Sequence, residues 1–330
     1  MDRQRLLGIG LVLIAGMSFA SGSIFATLSY ADGLGWLTLM AWRFLIGASA
    51  AWIWLLADRH RRATLRRLPR RQVVVALALG ALYTGNAGTY YAGIEIIQAA
   101  LAGVLVYLYP VLVALLSLRF ATPLDGRRPW LALGIALTGV VLALGGLDAS
   151  AGIPWDGLLL ILASAAIYAT WIVLSARLAG ERRDRLAREA PAESHSAGDA
   201  AVTTALMMAA SALVFSAIAT VTGTPPDPAS IPVTSWPWLL GIGVLASFLA
   251  IQALYAGARR IGAAQAALVS TTEPVFIVVL ALLILDQRLA PIQLVGGALI
   301  VVAVIVAQTG PRRPGAPQPA TPLEAEIQAD

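Results

Sequence analysis

The sequence predicts an all-α polytopic membrane protein of ten transmembrane helices, arranged as two inverted five-helix repeats with both termini cytoplasmic. Three observations carry this prediction. The chain of 330 residues is 58% hydrophobic, only 12% charged, and has a mean hydropathy of +0.78. A water-soluble domain carries about a quarter charged residues, so too little polar surface is present to cover a soluble particle. Apolar stretches near twenty residues recur, each long enough to cross ~30 Å of hydrocarbon as a helix, and the short alternating runs of a membrane β-barrel are absent. Finally, the second half of the chain repeats the pattern of the first.

In chain order the apolar spans fall near 6–28, 35–57, 73–93, 99–118, 130–147, 157–176, 201–221, 237–256, 263–285 and 291–309. Arg3 and Arg5 before the first run also fit a signal peptide. The length of that run and its counterpart at 157–176 favour a retained span. The arginines then set the orientation. Segments 1–5, 58–72, 119–130, 177–200, 257–262 and 311–330 share one side and hold 21 of the 23 arginines. The alternate loops hold only Arg288, and Arg43 lies inside span two. Arginine-rich loops stay cytoplasmic, and an even helix count brings both termini to that side. The halves divide as 1–150 and 151–310. The 177–200 loop is read as holding a short solvated helix before Pro191. The proline-rich tail 311–330 is read as disordered, since it has little apolar surface to bury.

Composition also removes whole classes of chemistry. All 23 basic residues are arginine, which excludes a phosphate-binding Gly-Lys-Ser/Thr loop and lysine Schiff bases. The absence of cysteine excludes thiolate chemistry and zinc-thiolate sites. His60 and His195 both fall in polar loops, too few for a metal site, so no cofactor or metal is expected. The arginines fit anionic lipid headgroups rather than nucleic acid, because the 58–72 cluster has no interleaved aromatics. No His-Glu-x-x-His motif or paired intramembrane aspartates point to a membrane enzyme.

The repeat has a residue-level register. At an offset of 164, segment 88–111 superposes on 252–275 with nine matches in 24 positions, among them Tyr91/Tyr255, Gly93/Gly257 and Pro110/Pro274. At 162, Pro129/Pro291 and Gly134/Gly296 align in the next span. Five helices per half force the second half to enter the membrane inverted. Inverted repeats let one scaffold rock between mirror-like states around a midplane site.

These features resemble the EamA unit of the drug/metabolite transporter superfamily. The resemblance rests on Ala41-Trp42-Arg43-Phe44-Leu45, on Tyr90-Tyr91-Ala92-Gly93-Ile94 leading into Ala99-Ala100-Leu101-Ala102, and on Leu108-Tyr109-Pro110. Glu273-Pro274 and Asp286-Gln287-Arg288-Leu289-Ala290-Pro291 complete it. It spans nearly residues 6–309. It implies a multi-pass protein of the bacterial inner membrane that moves amino acids or similar metabolites, often outward and in several members with proton coupling. Two positions depart from the pattern. Asp286 stands where the family usually has glutamate, and the counterpart of Arg43 in helix seven is not arginine.

The candidate site residues are the polar groups within the spans. Pro110 and Pro274 lack an N–H, so the carbonyls of Val106 and Ser270 lose their helical donor. At membrane depth each must find another, and a kink satisfied by packing is the simplest outcome. Glu273, about ten residues or ~15 Å into its helix, is costly there unless protonated, hydrated or paired. It is the candidate proton-coupling residue, with a structural hydrogen bond or a pair with Arg43 as alternatives. Arg43 is read mainly as a structural clamp, since it satisfies several acceptors at once, and secondarily as a carboxylate ligand. On helix six, Ser164, Tyr168, Trp171 and Ser175 form a polar-aromatic stripe. Ser18, Asn86, Tyr109, Tyr168, Trp171, Gln252, Tyr255 and Ser270 are the candidate substrate contacts. Glu95 and Trp36 are read as interfacial anchors. The expected partners are a small-molecule substrate and the lipid bilayer, with a homodimer left open. A transporter-like sensor without turnover is the competing class, distinguished by flux.

Overall fold

The computed structural model describes residues 3–120, 128–143, 154–189, 198–261, 266 and 269–308. Among them the regular structure is helical. The elements run α1 (Arg3–Ala31), α2 (Trp36–Ala57), α3 (Arg59–Arg67), α4 (Arg70–Ile96), α5 (Ala99–Val106), α6 (Tyr109–Phe120) and α7 (Arg128–Ala143). The second half continues with α8 (Trp155–Glu189), α9 (Gly198–Val221), α10 (Trp236–Leu240), a π-helical stretch (Gly241–Leu249), α11 (Ala250–Ile261), α12 (Glu273–Leu285) and α13 (Pro291–Gln308). Six segments are long and apolar enough to cross a membrane, and four shorter apolar helices coincide with the remaining predicted spans. Outward positions stay apolar: Ile53, Leu213 and Leu283 are each more than 70% exposed. Such a surface belongs in lipid.

Local chemistry sets the helix ends. Gly33, at φ +89°, closes α1, with its N–H donating to Tyr30 and that of Leu34 to Ser29; a left-handed closing residue is nearly free of strain only for glycine. Asp286 does the same for α12 at φ 49°. Aspartate tolerates that conformation better than longer side chains do, which gives the departure from glutamate a backbone reason. At α13, Gln293 Oε1 accepts from the Ala290 N–H (2.8 Å) and its Nε2 donates to the Ala143 carbonyl (3.2 Å), tying α13 to the end of α7.

The helices pack as α4 on α8 and α9, α1 on α11 and α12, α2 on α9 and the π stretch, α6 on α8, and α7 on α13. Exchanging corresponding spans of the two halves turns one set of these neighbours into the other. Two close glycine contacts follow suit. A Cβ on Gly257 of α11 would lie 2.8 Å from the Gly8 carbonyl of α1. One on Gly93 of α4 would lie 3.4 Å from the Gly157 carbonyl of α8. Gly93 and Gly257 are the aligned glycines of the repeat.

Four features differ from the sequence reading. Segment 58–72 is not all loop. It holds α3, capped by Asp58, which accepts from the His60 N–H (2.9 Å), and braced by Arg61, whose guanidinium stacks 3.5 Å over Trp54. The solvated helix expected within 177–200 is instead the continuation of α8 to Glu189, because nothing in 155–189 breaks the helix. Spans four and nine, read as single helices, are each interrupted beside their proline: the α-helical hydrogen-bond ladder gives way to turns at Tyr107–Leu108 and at Thr271–Thr272. Each proline occupies the first turn of the following half-helix, and its missing N–H leaves the carbonyl four residues back without that helical donor. Span eight contains the π stretch, in which the Ser247 hydroxyl donates to the Ile242 carbonyl five residues back (2.8 Å). His195, the side chain of Ser175 and the tail 311–330 lie outside the described residues.

Candidate functional site

The two interruptions meet. Tyr107 and Thr271 are repeat partners, 164 residues apart, and α5 packs on α12. From the first break, the Tyr107 hydroxyl donates toward the Ser270 carbonyl (2.8 Å) and toward Glu273 Oε2 (3.1 Å) at the second. The carbonyl orphaned by Pro274 thus has a side-chain donor from the other half. Glu273 is the first residue of α12 rather than a mid-helix residue.

Aromatic rings surround this junction. Tyr107 meets Tyr109 at 5.6 Å between centroids, Tyr109 meets Tyr168 at 4.6 Å, and Tyr168 meets Tyr83 at 6.3 Å. Trp171 stacks on Tyr168 and donates its Nε1–H to the Leu79 carbonyl (2.9 Å), so its polar edge is already engaged. Tyr83 passes the chain of rings to Phe44, beside Arg43.

Arg43 is 7% exposed. Its Nε donates to Ser247 Oγ (2.8 Å), and its guanidinium lies 4.6 Å from the Tyr91 ring centre and 5.3 Å from that of Phe44. Its Nη1 is buried without a hydrogen-bond partner, leaving the π-faces to stabilise the charge. No ion pair joins Arg43 to Glu273 among the described residues; Arg61–Asp58 and Arg288–Asp286 are ion pairs found there. The pairing alternative therefore does not hold in this conformation. Arg43→Ala is expected to lower folded yield before it alters specificity, because it removes a charge-assisted bond and two cation–π contacts at a cost of about 2–3 kcal/mol. Size-exclusion profiles and melting curves in detergent measure this. Normal yield with changed substrate preference would reverse the assignment.

Of the candidate contacts, the structure gathers Ser270, Tyr109 and Tyr168 around Glu273. Ser18 lies on α1, two residues beyond Gly16, which faces Glu273 and Phe276. Asn86 is held by Ser164, whose hydroxyl donates to its Oδ1 (2.8 Å). Tyr255 packs against Val12 and Ile9 in a separate cluster, and Gln252 sits three residues before it on α11. Glu95 ends α4 beside the start of α2, taking the Trp36 backbone N–H. Tyr107, Tyr83 and Ser247 escaped the sequence reading. Tyr107 had a legible signal, standing three residues before an aligned proline. Ser247 had none, because π geometry leaves no periodic trace.

Interrupted helices that meet inside an apolar bundle define a class, the multi-pass membrane transporter built from discontinuous helices. The profile of the EamA-like transporter family matches residues 6–145 and again 155–309, and the chain belongs to that family. It is similar to "Uncharacterized transporter YcbK" of Bacillus subtilis (strain 168), with 24% identity over 298 residues, 89% of this chain and 90% of the relative. A crystal structure of a protein shares the fold, at a TM-score of 0.60 and 21% identity, over 91% of this chain and 96% of that one.

Proposed function

We propose that this transporter moves a small, amino-acid-like metabolite outward across the bacterial inner membrane by alternating access, with Glu273 carrying a coupling proton. Its ten spans form two inverted halves, 1–150 and 151–310, with both termini cytoplasmic. The observation that supports this reading most is the junction of the two breaks, where the one acidic group sits among tyrosines at a half-helix start. Tyr109, Tyr168 and Ser270 form the substrate wall, with Ser18 a further contact from α1. Asn86 and Trp171 shape that wall from behind, while Gln252 and Tyr255 belong to the gate between α1 and α11. The exchange of neighbours between halves supports two states related by the repeat.

The test begins with a thermal-shift screen of purified protein against metabolites, which supplies the substrate. Proteoliposomes loaded with that substrate are then given an imposed pH gradient. Accumulation that follows the gradient and collapses with a protonophore is expected. Flux equal to that of protein-free vesicles would instead favour a sensor without turnover.

A further inference from the structure

The Tyr107 hydroxyl has one hydrogen and two acceptors. Tyr107 is 4% exposed, and its oxygen lies within hydrogen-bond distance of both the Ser270 carbonyl and Glu273 Oε2. The Ser270 carbonyl is the one that Pro274 deprives of its amide donor, and an unpaired carbonyl at membrane depth is strongly disfavoured.

The two states of Glu273 divide that hydrogen differently. When protonated, Glu273 donates its own O–H to the Tyr107 oxygen, and Tyr107 donates to Ser270; all three groups are satisfied in one chain. When ionised, the carboxylate only accepts, and its charge-assisted bond draws the Tyr107 hydrogen to itself. The Ser270 carbonyl then has neither a helical nor a side-chain donor. No covalent bond changes except at the Glu273 proton, and Tyr107 keeps its own hydrogen throughout.

We propose that Tyr107 is a positioning residue that converts the proton occupancy of Glu273 into the pairing state of the Ser270 carbonyl, which loses its donor from the other half when the proton leaves. This rests on the reading of Glu273 as the proton carrier. Other ionisable groups facing Glu273 are Tyr109 from the same broken helix, Tyr168 from α8, and Tyr83, Tyr90 and Tyr91 from α4. α1 presents Gly16 there. Phenols are uncharged near neutral pH, and Arg43 acts from beyond the Tyr83 and Tyr91 rings. Glu273 is thus the carboxylic acid of this set.

The chain has no cysteine, so a single Val106→Cys substitution, beside the first break, reports its opening through the rate of N-ethylmaleimide labelling. The infrared carboxylic-acid band that disappears in Glu273→Gln reports the proton. Both are followed against pH in full-length protein in nanodiscs. In the Val106→Cys parent the labelling rate is expected to change at the same midpoint as the band. In Tyr107→Phe the band still titrates but the pH dependence of labelling is lost. Pro274→Ala, which restores an amide donor to Ser270, loses it too while keeping Tyr107, and carries the test should Tyr107→Phe fold poorly. Labelling that tracks pH in both variants as in the parent overturns the role of Tyr107. A parent whose band does not titrate overturns the proton reading of Glu273 itself, and the proposal with it.

Discussion

Glu273→Gln is expected to abolish gradient-driven transport while leaving expression and folding normal. The two side chains are nearly isosteric, and the glutamine amide can donate to the Tyr107 oxygen as a protonated carboxyl would. The junction between the breaks therefore stays assembled. What disappears is the capacity to take a proton on one side and release it on the other; among the described residues, the ionisable groups that interact with Glu273 are tyrosines. In the proteoliposome assay accumulation should fall to the protein-free level, whereas exchange of labelled for unlabelled substrate without a gradient should persist. Undiminished proton-coupled accumulation in the variant would place coupling elsewhere.

The second large effect concerns packing. Gly80→Ala is expected to destabilise the protein, although alanine is the better helix former by about 1 kcal/mol. A Cβ at Gly80 would run into the backbone carbonyl of Met207, and it would lie 2.7 Å from the Met207 Cα. Backbone cannot rotate away, so α4 and α9 must separate. The Ser211 hydroxyl bond to the Gly80 carbonyl (2.8 Å) goes with them. Overpacking of this kind costs up to about 3 kcal/mol, enough to outweigh the helix gain. Gly10→Ala provides the contrast, since nothing lies within 4 Å of a Cβ there. Its melting temperature should stay level or rise while that of Gly80→Ala falls. Equal melting temperatures for the two would show that α4 and α9 do not rely on the contact.

The parts of this fold that are legible in the sequence are those imposed by the solvent. Hydrocarbon demands long apolar runs, and six described helices are long and apolar enough to cross it, while four shorter apolar ones fall on the other predicted stretches. Register is legible where the repeat aligns uncommon residues: Pro110 with Pro274 marked both interrupted helices. The kind of interruption was not. A proline specifies a lost donor but not which group replaces it, and at the Ser270 carbonyl that group is Tyr107 from the other half. The π stretch was hidden for a similar reason. Its extra residue per turn is accommodated by Ser247 binding both Ile242 and Arg43, a three-body arrangement with no one-dimensional pattern. Glu273 was found because a lone acid in an apolar helix is conspicuous, and Tyr107 was passed over because a tyrosine there is not.

The pairing of α7 with α13 bears on how the protein is made. α7 meets its principal neighbour only at the end of the chain, and Gln293 closes onto Ala143 across 150 residues. During synthesis α7 is therefore expected to wait without that neighbour until α13 has been made. The first half is complete as sequence long before it is complete as structure. A ribosome stalled after Leu285 would hold a nearly full-length chain whose final seam is still open.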